Sequence, residues 1–85
     1  MANRKDLKKN LNNMVYDIVE ECFNIQMFDE SKSKDAEVLI DAAANYQDQM
    51  LTKINAAKTK ADFRPITADI ENTAIDFINK LNALN

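Results

Sequence analysis

Residues 7–28, LKKNLNNMVYDIVEECFNIQMF, decide how this chain is read. Leu7, Leu11, Met14, Ile18, Cys22 and Ile25 recur at steps of three and four, which gathers them on one face of an α-helix. Tyr16, Val19, Phe23 and Met27 recur at similar steps. At about 100° per residue they lie roughly 100–180° around the same helix from Ile18. The first stripe is a core face. A helix that touches two neighbours accounts for an apolar arc of about 100–140°, which takes in Val19 and leaves Tyr16, Phe23 and Met27 over.

Upstream, Asn3 can cap this helix, with Asp6 three residues later in the place of a capping-box acid. Arg4, Lys5, Lys8 and Lys9 follow, opposing the helix dipole and repelling one another as i,i+4 pairs, at a few tenths of a kcal/mol each. The helix is expected over about residues 4–28. Downstream, Asp29 to Lys34 is short and polar, as a helix–helix connection should be. Ser33 is a candidate N-cap for a second helix over about 34–58, with Asp35 and Glu37 in its acidic first turn. Its stripe is Ala36, Leu39, Ala43, Tyr46, Met50, Ile54 and Ala57, flanked by Ile40 and Leu51; Ala43 and Ala44 would let a neighbour approach.

Thr59 to Arg64 reads as the second connection, with Pro65 opening a third helix over about 65–84, because Pro is tolerated in a first turn. Asp62 or Arg64 would then be its N-cap. The third stripe is Ile66, Ile70, Ala74, Phe77, Leu81 and Leu84, with Ile78 at its edge. Three helices of about 30–37 Å joined by short loops predict one all-α domain over residues 1–85, an antiparallel up-down-up three-helix bundle.

Composition supports that class. The 85 residues include no Gly and one Pro, with 46% apolar and 29% charged residues. Turns that need positive φ therefore fall to Asn or Asp, which disfavours hairpin folds. The chain is too apolar for disorder. A single Cys fits a reducing compartment, the basic start lacks an apolar signal region behind it, and no run reaches membrane-span length. A cytoplasmic location is expected.

The opening Met-Ala-Asn-Arg-Lys-x-Leu-Lys-Lys-x-Leu-Asn, residues 1–12, resembles the start of a family of small helical proteins from Bacteroidetes that has no assigned activity. The likeness covers about a seventh of the chain and carries over no catalytic residue. What it implies is a natural cytosolic protein.

Histidine is absent. That removes Ser-His and Cys-His nucleophiles, His-bearing zinc sites and the Glu-x-x-His pairs of di-iron bundles. No catalytic residue, cofactor or metal is expected, and the chain reads as non-enzymatic. Cys22 falls in the core stripe beside Glu20 and Glu21, which suits an inert thiol with a raised pKa. Asp17/Glu21 and Glu37/Asp41 are like-charged i,i+4 pairs that would need to converge to hold a cation; solvated acidity is the expectation.

Two candidate sites remain. Tyr16, Val19, Phe23 and Met27 form a protein-binding patch, for a homodimer or a partner helix, since aromatic residues and Met are enriched in interface cores. The alternative is anion or nucleic-acid binding at a basic end, through Lys5, Lys8, Lys9, Lys58, Lys60 and Arg64. Up-down-up packing would segregate charge, most cations at that end and most carboxylates at the other. A net charge of −3 and a pI near 4.8 weigh against a dedicated nucleic-acid binder.

Overall fold

A computed structural model describes residues 3–84 as three α-helices with no strand among them: α1 (Arg4–Phe28), α2 (Ser33–Ala56) and α3 (Lys60–Leu84), with a 3₁₀ turn at Glu30–Lys32 between the first two. Met1 and Ala2, which begin the quoted opening, and Asn85 at the end of the predicted domain lie outside the described residues.

The start of α1 follows from its sequence. Asn3 is extended, its side chain accepts from the Asp6 N–H at 2.8 Å and its amide donates to the Asp6 carboxylate at 3.1 Å. This reciprocal cap satisfies a free N–H of the first turn. At the other end Asp29 leaves the helix in extended backbone, and its side chain accepts from the Ser31 N–H. The connection is thus not a plain loop but a 3₁₀ turn. Lys32, without a side-chain cap bond, precedes α2, and Ser33 is the first helical residue instead of the cap. Ser33 is engaged through its carbonyl, which accepts from Gln26 Nε2 at 3.1 Å.

The larger departure is at α3, which begins at Lys60, five residues before Pro65. The Thr59 hydroxyl accepts from the Asp62 N–H at 3.2 Å, and the Asp62 carboxylate accepts from the N–H groups of Lys58 and Thr59 at 2.9 and 3.1 Å. Thr59 and Asp62 therefore form the capping box, in which neither Asp62 nor Arg64 is the N-cap. Pro65 sits inside the helix, where it withholds an N–H from the Ala61 carbonyl. Correspondingly α2 ends at Ala56, two residues before the expected limit, and the Ala57 N–H closes it onto Lys53 and Ile54.

The core holds Leu7, Leu11, Val15, Ile18, Cys22 and Ile25 from α1, Ala36, Leu39, Ala43, Met50 and Ile54 from α2, Ala57 just after it, and Ile66, Ile70, Phe77 and Leu81 from α3. Fully burying a side chain such as Leu11 or Ile54 contributes about 1.5–3 kcal/mol. Three expected members, Tyr46, Ala74 and Leu84, are only half-buried, as is Met14. Val15 takes the place expected for Met14. The two flank Ile18 on opposite sides, and Asn12 and Gln26, on Val15's side, hydrogen-bond to α2, which lies over that flank. Four hydrogen bonds tie the helices together at separate levels: Arg4 Nη2 to Ala57 O at 2.7 Å, Gln47 to Asn12 at 2.8 Å, Gln26 to Ser33, and Tyr46 to Asp69 at 2.6 Å. The folded chain is a rod of 45 × 18 × 15 Å.

Candidate functional site

Helix α1 offers its second face to solvent. Tyr16 is 70% exposed, Phe23 54% and Met27 76%, while Val19 is half-buried against the core. The same turns of α1 that bury Leu11, Val15, Ile18, Cys22 and Ile25 carry these side chains outward, so a rigid element holds them. Tyr16, Val19, Glu20 and Phe23 line a shallow groove of about 190 Å³. Exposed aromatic and Met side chains in successive turns leave apolar area in water that a partner could cover.

Other large apolar side chains are also exposed, on different turns: Phe28 beside the 3₁₀ connection, Val38 on α2, and Ile75 and Ile78 on α3. Phe28 and Val38 did not stand out in the stripes, although Val38 sits between Ala36 and Leu39 at an angle no core position shares. Of these, Phe28 lines a groove of about 380 Å³ with Glu21, Asn24, Ile25, Asp29 and Lys32.

The basic end is brought together in part. The bond from Arg4 to Ala57 sets the start of α1 beside the segment that carries Lys58, Lys60 and Arg64. Lys5, Lys9, Lys58, Lys60 and Arg64 are exposed and Lys8 half-buried. Among the described residues the one ion pair joins Lys32 to Asp29 at 3.9 Å, at the far end of α1. Ahead of α3 the Asp62 carboxylate accepts from the Lys58 and Thr59 N–H groups and the Thr59 hydroxyl accepts from that of Asp62, so these three donors are not open to an anion. The two bonds it accepts hold the Asp62 carboxyl below the usual carboxylate range, the Lys58 contact contributing most.

Between the end of α2 and the start of α3 lies an open groove of about 450 Å³, floored by Met50 and Ile66 and widened by Ala56, Ala57, Ala61 and Pro65. Its carboxylates are both engaged. Asp62 serves the cap, and Asp69 accepts from the Tyr46 hydroxyl at 2.6 Å and from the Thr73 hydroxyl at 3.2 Å. Burial, with the bond to Asp69 adding to it, pushes the Tyr46 phenol up to about 12. Burial also pushes the Cys22 thiol up, and Glu21 adds to the effect. Both groups are thereby held protonated, the opposite of an activated nucleophile.

The acidic pairs Asp17/Glu21 and Glu37/Asp41 are not gathered: among the described residues no three Asp, Glu or Cys side chains converge as metal ligands would. No described helix is long and apolar enough to cross a membrane. Comparisons with protein-family models, curated proteins and solved structures find no match to this chain.

Proposed function

We propose that the chain works by protein–protein association in the cytoplasm, without catalysis, as an antiparallel up-down-up three-helix bundle that docks a partner helix or a second copy on Tyr16, Val19, Phe23 and Met27. One observation carries this reading: three large apolar side chains of one rigid helix face, Tyr16, Phe23 and Met27, are each more than half exposed. The topology is supported by the cross-helix bonds. Along α1 they pass from Arg4 to Asn12 to Gln26 while their partners fall from Ala57 to Gln47 to Ser33, and Tyr46 with Asp69 continues the reversal into α3.

The test is solution mass by light scattering, with Phe23→Asp as the variant. A 9.7 kDa chain that associates with itself should scatter as a species of about 19 kDa, and the variant as a folded 9.7 kDa monomer. A patch that docks a different helical protein should leave the chain monomeric and lose that complex on the same substitution. The basic end is the second reading, favoured by the Arg4–Ala57 bond that assembles it. It requires binding to a polyanion that weakens steeply with salt and is lost on Lys8→Glu/Lys9→Glu.

A further inference from the structure

We infer that the occupant of the α1 face is a second copy of this chain, its α1 running in the opposite direction about a two-fold axis level with Val19 and Glu20. This rests on the association proposed above and names its partner and geometry. The apolar face does not end at its apolar residues. At 100° per residue Lys5 and Lys9 fall on the same arc as Tyr16, Phe23 and Met27 and are exposed, and Asn12, which accepts from Gln47 of α2, borders that arc. The stripe is therefore basic at one end and apolar in the middle. Beyond its other end comes exposed Glu30, in the turn that follows the helix.

Such a stripe is complementary to itself only when reversed. With the axis between Val19 and Glu20, Tyr16 comes level with Phe23 of the second copy, Asn12 with its Met27, and Lys9 with the far end of its α1, where the turn that carries Glu30 begins. Each pairing occurs twice, as a two-fold interface requires. A parallel arrangement would stack Lys5, Lys9 and Glu20 on their own copies, whereas the reversed one brings only Glu20, beside the axis, near its own copy, so like-charge repulsion is smaller in it.

Size also selects the long side over the ends. An end of the rod measures about 18 by 15 Å, roughly 270 Å², whereas its long side of about 45 by 18 Å offers roughly 800 Å². A stable interface buries about 800 Å² per partner. Head-to-tail contact through the ends falls well short of that, and only the long side has room for an interface of that order.

Site-directed cross-linking tests the geometry on the full chain. The core residue Cys22, fully buried, provides a silent background in the wild type. Under mild oxidation Glu20→Cys should cross-link to its own copy. Lys9→Cys and Glu30→Cys should each remain largely uncross-linked alone and form the mixed disulfide when combined. Independently, Lys9→Glu should weaken self-association about tenfold, and Lys9→Glu/Glu30→Lys should restore it. Circular dichroism on each variant confirms that it is folded. Self-cross-linking of Lys9→Cys, in a dimer that Phe23→Asp abolishes, would overturn the reversed arrangement while leaving the face as the docking surface. A wild type that is monomeric up to millimolar concentration would overturn the second copy as occupant. A dimer indifferent to Phe23→Asp would overturn this geometry and the α1 face together.

Discussion

Tyr46 shows how a single polar atom is accommodated at the margin of this core. Its ring packs against the buried cluster, and its hydroxyl donates to Asp69, which also receives Thr73. Tyr46→Phe keeps the ring and removes the donor, so it should cost about 1 kcal/mol, read as a fall in denaturant midpoint. The pH dependence has a definite sign. The folded phenol titrates near 12 instead of 10.0, so the folded state holds its proton more tightly than the unfolded chain. That contribution is complete below pH 10 and is lost as the pH rises through about 12. The stability gap between wild type and Tyr46→Phe should narrow over that interval; a constant gap would show that the hydroxyl contributes nothing through its proton. Asp62 behaves in the opposite sense. Its carboxyl is held below 3.8 by the Lys58 and Thr59 N–H groups, so its contribution is present above that value and fades as the pH falls through the lowered one. Acid melts of wild type and Asp62→Asn should therefore converge toward low pH.

The start of α3 sets a good cap against a poor interior residue. Thr59 and Asp62 fix the helix origin, and Pro65 then falls within it, with its ring against the Ala61 carbonyl and no N–H to offer. Thr59→Ala should cost about 1 kcal/mol through the lost cap. Pro65→Ala, at an exposed position, should raise stability by about 1–2 kcal/mol, the helix gain exceeding the loss of the proline's restraint on the unfolded chain. A lower melting temperature for Pro65→Ala would mean that the ring packs in the groove it lines rather than straining the helix. The same segment marks where a reading of residues alone stops. The Asn3 cap and the apolar spacing together place α1 over Arg4–Phe28, and the spacing finds most of the α2 and α3 stripes, because it reports burial directly. It failed where two local rules compete. Pro65 carries a strong signal for a first turn, and the Thr59-x-x-Asp62 capping box carries one for an earlier start; hydrogen bonds that only the folded backbone supplies decide for the box. Val15 and Met14 pose the same difficulty, since neither spacing nor type says which flank of α1 a neighbour covers. The α1 patch was legible as surplus apolar residues; the exposures of Phe28 and Val38 were not, as single side chains outside a stripe leave no period.

A rod only 18 × 15 Å across has a high ratio of surface to interior, and 85 residues lie near the size at which a core is self-sufficient. Covering Tyr16, Phe23 and Met27 would therefore do more than join two copies, because it would remove apolar area from water that the lone chain leaves exposed. Association and folding are then linked by mass action. If the second copy binds only the folded chain, the melting temperature of the wild type must rise with protein concentration. For a domain of this size each kcal/mol corresponds to about 4–8 °C. Raising the concentration a hundredfold contributes at most about 1.4 kcal/mol per chain, half of the 2.7 kcal/mol that this factor is worth for each dimer. The expected displacement is therefore several degrees, easily read by circular dichroism. Phe23→Asp should remove the concentration dependence while preserving the helical signal, since Phe23 is 54% exposed and outside the core. It should melt at or slightly below the wild type's value at high dilution. A wild type whose melting temperature is the same at every concentration would show that its stability comes from contacts within the single chain and owes nothing to the second face.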